Sequence, residues 1–203
     1  MKRVFRFCLL ACIPLFIFAC SRSEKHRKKA EMLYNSMSEE NKTTPTGYQI
    51  TALQPSVVEI GENMVDADLF DINGNTKCIS DYSGKYIFLN FWKSGCGYCI
   101  AGLSELKEIS ESYCENLTVI SIGLDIDFKW KETMVKYEMP WINLRDSKGY
   151  DGLIANYAVR TSTYQRAYGI PFNVILSPEG KVIDKWMGYG SGYYKRKVSE
   201  NIK

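Results

Sequence analysis

The chain has 203 residues, of which 45% are hydrophobic and 24% are charged, so it can bury a core and is not globally disordered. Lysine and arginine exceed aspartate and glutamate by only 26 to 23, which gives no electrostatic indication of nucleic-acid binding. The chain has one histidine and seven cysteines, which argues against histidine-based chemistry and in favour of chemistry at cysteine sulfur.

Residues 1–20 have the pattern of a bacterial lipoprotein signal peptide. A basic start precedes an apolar segment at 7–18 that is too short to span a bilayer comfortably. The segment ends in Ile-Phe-Ala-Cys, which resembles a lipobox and implies that Cys20 becomes lipid-modified. An uncleaved membrane anchor is the alternative. Some lipoproteins are retained in the inner membrane by an aspartate where this chain has Ser21, so we expect an outer-membrane anchor facing the periplasm.

The mature chain is predicted to have a polar stalk at 21–47 and a folded domain at 48–203. The basic sequence RSEKHRKK in the stalk is either a solvated tether or a contact with anionic lipid headgroups. Cleavage leaves 23 basic and 23 acidic side chains, so the mature charge is about zero. Export permits disulfides. Four cysteines remain besides the lipidated one: Cys78, Cys96, Cys99 and Cys114.

The first elements predicted in the domain are a hairpin, a strand and a helix. Asn73-Gly74 separates two short alternating segments, as in a tight hairpin. KYIFLNFW at 85–92 is nearly all apolar, which indicates a strand buried on both faces. Apolar residues then recur at helical spacing from about Gly97 to Tyr113.

The second half of the domain continues the alternation of strands and helices. The predictions are a buried strand at 116–124, a helix at 127–138, a short helix at 149–159, a hairpin around the turn at 178–180 and a closing helix in the tail. This order predicts an α/β fold with a mixed central sheet and flanking helices.

Cys96 and Cys99 lie between the apolar strand and its helix, where a metal, a structural disulfide or thiol exchange is possible. A structural zinc site needs four Cys or His ligands, and the only histidine, His26, is in the stalk. No metal or dissociable cofactor is therefore expected. A helix N-terminus stabilises a thiolate, which favours Cys96 as an exposed nucleophile and Cys99 as the cysteine that resolves the mixed disulfide.

Several ordered motifs resemble TlpA/ResA-type thioredoxin-like proteins. They run from DADLFDINGNTKCIS through FLNFWKSGCGYC to YGIPFNVILSPEGKVIDKWMG, and the resemblance covers residues 57 to about 190. It implies a thioredoxin-like fold with an N-terminal β-hairpin and a thiol–disulfide oxidoreductase activity. The implied partners are client proteins with thiols or disulfides and a membrane thiol–disulfide electron carrier.

The resemblance also assigns a client-binding groove beside the cysteine pair. It implies that Pro171 follows a cis peptide bond and lies against the disulfide, which exposes the Ile170 backbone for strand-like pairing with a client. Trp92 is assigned to the same groove and is expected to pack beneath the redox helix. An ordinary trans proline and a purely structural tryptophan are the alternatives.

The chain departs from this family at positions that handle protons. Asn90 and Gly102 stand where related proteins carry a buried Asp or a Glu, and Glu105 is predicted to face away from the pair. Lys93 either favours the Cys96 thiolate or is merely solvated. The residues at 160–169 are predicted to be an inserted loop.

These departures leave several readings of the function open. We expect a protein-disulfide reductase. A disulfide isomerase or oxidase, or a non-catalytic binding module, is the alternative. A peroxidase is disfavoured because no Pro-x-x-x-Thr/Ser-x-x-Cys motif surrounds Cys96. Cys78 and Cys114 are expected to be buried free thiols, with a disulfide between them as the alternative.

Overall fold

The computed structural model describes residues 57–158 and 168–202, and the chain from Val57 onward forms a compact unit. The predicted signal peptide, the lipid site at Cys20, the stalk and most of the predicted inserted loop lie outside the described residues. Within the described ranges, no helix combines the length and the apolar character needed to cross a bilayer.

The described residues form one seven-stranded mixed sheet in the order β2-β1-β5-β4-β3-β6-β7. Strands β3, β4 and β5 are mutually parallel, whereas β1, β2, β6 and β7 each pair antiparallel with their neighbours. The strands are β1 (Leu69–Phe70), β2 (Thr76–Lys77), β3 (Tyr86–Trp92), β4 (Leu117–Gly123), β5 (Ile142–Arg145), β6 (Phe172–Leu176) and β7 (Val182–Met187). Both predicted hairpins and both predicted buried strands are confirmed.

Helices connect the strands and cover the sheet. The described helices are α1 (Gly97–Ala101), α2 (Leu103–Ser112), α3 (Asp127–Lys136) and α4 (Tyr193–Asn201), and short 3-10 turns occur at Ile79–Tyr82, Gly149–Asp151 and Leu153–Asn156. Two predictions need correction. The single helix expected after the cysteine pair is divided at Gly102, and the helix expected at 149–159 consists of two 3-10 turns.

Strand β3 separates two buried layers, because alternate residues of a strand point to opposite faces. Ile87, Leu89 and Phe91 belong to the apolar cluster on one face. Phe88 and Trp92 belong to the cluster on the other face, together with Cys99 and residues of α2 and α4. The near-continuous apolar sequence of β3 is therefore explained by burial on both sides.

Strand pairing brings a distant segment beside the cysteines. Strand β6 runs antiparallel to β3, and Phe91 is paired with Phe172. Pro171, which immediately precedes β6, is therefore placed at the end of β3 from which the chain leads into Cys96. Residues some 70 positions apart in the chain meet at this end of the sheet.

Candidate active site

Cys96 and Cys99 form a disulfide at the start of α1, with their Cα atoms 5.2 Å apart. Cys96 is the N-cap residue, and its Sγ accepts a hydrogen bond from the backbone N–H of Cys99 at 3.1 Å. Cys96 is half-buried, whereas Cys99 is only 1% exposed. The unpaired N–H groups and the dipole of the helix start favour a thiolate at Cys96 once the disulfide is reduced.

The segment before β6 lies against the disulfide. The Ile170–Pro171 peptide bond is cis, as the resemblance implied. The carbonyl oxygen of Ile170 lies 3.6 Å from Cys96 Sγ, and the carbonyl of Pro171 accepts a hydrogen bond from the Gly188 N–H at 2.7 Å. The structure therefore brings the Ile170 carbonyl to Cys96, and Pro171 follows it directly in the chain.

Trp92 lies beneath the pair and is fully buried in the same cluster as Cys99. It supports the redox helix from below and does not line an open groove. Large exposed side chains of the described segments that meet at this site include Tyr98, between the two cysteines, and Met187, which packs over Gly169. Tyr98 is 70% exposed and Met187 is 59% exposed.

The loop before Cys96 is held by a carboxylate that sequence reasoning missed. Asp125 follows β4, and its carboxylate accepts a hydrogen bond from the Ser94 N–H at 2.6 Å. Its other oxygen lies 3.9 Å from Lys93 Nζ, which also sits 5.2 Å above the ring of Tyr150. Lys93 is therefore neither freely solvated nor an unopposed positive charge beside Cys96. The only signal in the sequence was an acidic residue just past a buried strand.

A buried polar cluster of Asn90, Asn173 and Tyr194, here called the amide–phenol cluster, lies in the layer that contains Cys99. Asn90 Nδ2 donates to Asn173 Oδ1 at 2.8 Å and approaches the Tyr194 hydroxyl at 3.4 Å. All three side chains are at most 1% exposed. Burial raises the pKa of Tyr194 far above its usual range, so its phenol stays protonated. The sequence analysis identified Asn90 only as an amide where related proteins carry a carboxylate. It did not identify Asn173 and Tyr194 as its partners.

Glu105 has a structural task at the start of α4. Its carboxylate is 5% exposed and accepts hydrogen bonds from the backbone N–H groups of Gly192 at 3.1 Å and Lys195 at 2.6 Å. A carboxylate at a helix N-terminus satisfies unpaired donors and complements the dipole. The predicted orientation away from the cysteine pair agrees with this arrangement.

The other two cysteines of the described chain are free, so the alternative of a Cys78–Cys114 disulfide is wrong. Cys114 is exposed and Cys78 is only partly buried, which corrects the expectation that both thiols are buried. Burial, and then the charges of Asp66, Asp81 and Asp68, raise the pKa of Cys78 to about 11. Across the described ranges, no three His, Cys, Asp or Glu side chains are grouped as a metal site would require.

A model of the AhpC/TSA family matches residues 60–193. The chain belongs to this family. A similar solved structure is the thioredoxin domain of a thiol-disulfide oxidoreductase from Bacteroides vulgatus, with a TM-score of 0.58 and 22% identity over 71% of this chain and 99% of that chain. The predicted thioredoxin-like fold is confirmed.

Two curated relatives illustrate the chemistry found in this family. Thiol-disulfide oxidoreductase ResA of Bacillus thuringiensis subsp. konkukian (strain 97-27) is 26% identical over 160 residues, covering 78% of this chain and 85% of that protein. Peroxiredoxin Bcp of Bacillus subtilis (strain 168) is 26% identical over 138 residues, covering 64% of this chain and 85% of that protein. With the Cys96–Cys99 pair at disulfide distance, the chain is a redox enzyme of the thiol–disulfide oxidoreductase class.

Proposed function

We propose that this enzyme is a protein-disulfide reductase that is lipid-anchored through Cys20 and faces the periplasm. Cys96 is its nucleophile, Cys99 resolves the mixed disulfide, and Ile170 and Pro171 hold the client beside Cys96. The observation that carries the proposal is the asymmetry of the pair. Cys96 caps a helix at the surface, whereas Cys99 is buried behind it.

The reaction follows from this asymmetry. The Cys96 thiolate attacks one sulfur of a client disulfide, so that a Cys96–client bond forms and the client's second sulfur leaves as a thiolate that takes up a proton. Cys99 then loses its proton and attacks Cys96 Sγ, forming the Cys96–Cys99 bond and releasing the first client sulfur as a thiol. The client gains two electrons and the enzyme loses two. A membrane thiol–disulfide carrier would return the enzyme to its dithiol form.

The first test is the reduction potential of the Cys96–Cys99 couple in a soluble chain that begins after Cys20, with Cys78 and Cys114 changed to Ser. We expect a value near that of thioredoxin, about −270 mV, as for a reductase. A value of about −120 to −180 mV would identify an oxidase or isomerase instead. If the cysteine pair shows no reversible couple, the proposed reductase activity is wrong and the protein acts as a non-catalytic binding module.

The roles of the two cysteines are tested by trapping. Cys99→Ser leaves the nucleophile but removes the resolving thiol, so mixed disulfides with clients should accumulate and be released by dithiothreitol. Cys96→Ser is the matched control and should trap none, because Cys99 is too deeply buried for a protein disulfide to reach, although a small reagent can still react with it. Equal trapping by both variants would contradict the assignment.

The anchor is tested separately from the chemistry. We expect the full chain to incorporate labelled palmitate and to fractionate with the outer membrane, and Cys20→Ser to lose both properties while its redox couple is unchanged. Labelling of a different residue, or an unaltered membrane fraction for Cys20→Ser, would contradict the lipid site.

Peroxide reduction is the second candidate, because the family match and the similarity to peroxiredoxin Bcp favour it. The sequence around Cys96 opposes it, since Lys93 stands where a peroxiredoxin carries Thr or Ser. Peroxide-dependent turnover with dithiothreitol as reductant separates the two. We expect none above the rate of Cys96→Ser.

A further inference from the structure

The layer of the fold that buries Cys99 contains unused hydrogen-bonding capacity. Asn90 is flanked on its face of β3 by Phe88 and Trp92, which both belong to the cluster around Cys99. Its amide is 1% exposed, and the Oδ1 atom has no hydrogen-bond partner. Buried polar atoms are rarely left unpaired, so this oxygen calls for a partner that the disulfide form does not provide.

Tyr194 occupies the space beside the turn that follows Cys99. Gly102 lies three residues after Cys99, and its N–H donates to the Cys99 carbonyl at 3.3 Å. A Cβ atom on Gly102 would lie 2.9 Å from Cε2 of Tyr194 and 3.3 Å from its hydroxyl. The phenol ring of Tyr194 therefore occupies the space that a side chain at position 102 would fill.

The disulfide and dithiol forms need different hydrogen-bond partners around Cys99. A disulfide sulfur has no proton and no charge. A reduced Cys99 carries an S–H donor, and it must become a thiolate before it attacks Cys96. An unpaired buried thiolate is costly. Glu105, the acidic residue closest along the helix, has both carboxylate oxygens bonded to the start of α4.

We propose that Asn90 and Tyr194 are positioning residues for the reduced form of Cys99. Asn90 Oδ1 accepts a hydrogen bond from the Cys99 thiol, and the Tyr194 O–H donates to the thiolate that forms as the proton leaves for water. The cluster thus stabilises the reduced pair with neutral groups and without an internal carboxylate base. This inference rests on the proposed exchange between Cys96 and Cys99.

The ionisable groups around the cluster are few. Glu105 from α2 and Tyr189 from the segment before α4 face Tyr194, and the rings of Tyr189 and Tyr194 are 4.9 Å apart. Burial, and then the charge of Glu105, raise the pKa of Tyr189, so it stays protonated at neutral pH. Neither phenol therefore carries a charge at neutral pH.

Tyr194→Phe tests the inference, because it removes the hydroxyl and keeps the ring. Tyr157→Phe is the matched control. Tyr157 is equally buried, but it lies in the cluster on the opposite face, and its hydroxyl bonds the backbone N–H and C=O of Val65, each at 3.0 Å. Both variants lose a buried hydroxyl, and only the first touches the layer of Cys99.

Two readouts are needed, both in the background without Cys78 and Cys114. The first is the equilibrium of the Cys96–Cys99 couple with glutathione. We expect Tyr194→Phe to shift it toward the disulfide by about three- to tenfold, or about 15–30 mV for two electrons, at pH values where Cys99 is a thiolate, and by less where Cys99 is protonated. The second is the rate of iodoacetamide alkylation of Cys99 against pH in a Cys96→Ser chain. We expect this profile to move upward by about one pH unit.

The outcomes separate the two proposals. If Tyr194→Phe leaves both readouts at parental values, or shifts them no more than Tyr157→Phe, the inference is overturned and the proposed reductase stands. If the parent shows no reversible couple, the proposed function fails, while the alkylation profile still reports whether Tyr194 stabilises the Cys99 thiolate. Asn90→Ala is a second variant: it should also shift the couple toward the disulfide, but it should move the alkylation profile downward, because it removes an acceptor that favours the protonated thiol.

Discussion

Cys96 and Cys99 are identical in chemistry, and their surroundings give them different tasks. Cys96 ends the loop that leaves β3 and begins α1, so the backbone N–H of Cys99 already points at its sulfur. Cys99 is one turn further on and faces the layer of α2 and α4, where it is almost fully buried. At this scale, local backbone geometry and burial separate the nucleophile from the resolving thiol.

Asp125 is predicted to restrain the reactivity of Cys96 through Lys93. Asp125→Asn would remove the negative charge 3.9 Å from Lys93 Nζ and leave the positive charge unopposed near the thiolate. We expect Cys96 in the reduced enzyme to be alkylated about two- to fivefold faster at pH 6 and low salt, as for a partly screened surface interaction. Competitive labelling with mass spectrometry measures the rate.

The controls for Asp125 follow from the same charges. Lys93→Gln combined with Asp125→Asn should return the alkylation rate toward the parental value. Glu132→Gln breaks an exposed ion pair with Lys129 on α3 and should have no effect. A slower rate in Asp125→Asn would indicate instead that the hydrogen bond to Ser94 dominates by holding the loop.

Cys78 is predicted to make stability depend on pH in the alkaline range. Its pKa is raised to about 11 from the model-compound value of 9.0 by burial first and then by three carboxylates. Between these pH values the unfolded chain loses the thiol proton while the folded chain keeps it, so stability must fall as pH rises. Urea unfolding at pH 8 and pH 10.5 should show a larger loss for the parent than for Cys78→Ser. Equal losses would contradict the prediction.

The helical region after the cysteine pair is divided into two elements where it packs closely against two aromatic rings. Gly102 separates α1 from α2, and the rings of Tyr189 and Tyr194 occupy the space in which its side chain would lie. Tyr194 is itself held edge-on against Phe88 and Tyr189. The residue at the break thus packs against a side chain of a helix that begins about 90 residues later.

Gly102→Ala is therefore predicted to destabilise the oxidised enzyme, although alanine favours helices over glycine by about 1 kcal/mol. The new Cβ would meet a fully buried ring, and overpacking a core costs about 1–3 kcal/mol. We expect a net loss of about 1 kcal/mol in urea unfolding. Gly97→Ala is the control, because open space surrounds that position and its stability should be equal or higher. A stabilised Gly102→Ala chain would show that the rings move aside at little cost.

The elements that could be predicted from the sequence are those with local signals. Asn73-Gly74 and the turn at 178–180 specify hairpins, and the apolar sequence of β3 specifies a central strand. Strand β5 was missed because its four residues carry little pattern, and their extended form depends on pairing with β4 and β1.

The candidate site divides in the same way. The cysteine pair and Pro171 belong to recognisable motifs. The amide–phenol cluster has no local pattern, because Asn173 and Tyr194 lie 83 and 104 residues from Asn90 along the chain. The sequence indicated that a carboxylate was missing at Asn90. The polar partners of Asn90 could be identified only from the packing of β6 and α4 against β3.

At the scale of the whole molecule, the sheet order concentrates the site near β3. Strand β4 on one side ends just before Asp125, and β6 on the other side begins just after Pro171. Helix α4 covers the same layer as Cys99 and supplies Tyr194. The N-terminal hairpin is at the far edge, beside β5, and contributes none of these groups.

The compact unit is therefore predicted to hold the complete redox site. A chain of residues 57–203 should unfold cooperatively, and its Cys96–Cys99 potential should equal that of a chain of residues 21–203, because every contact described at the pair comes from within the unit. Thermal unfolding and glutathione equilibration measure the two properties. Cys99→Ser in both chains is the control for the couple.

If the shorter chain folds but its potential differs by more than about 30 mV, a tenfold change in equilibrium, residues before 57 contact the site. If it fails to fold, those residues belong to the folding unit.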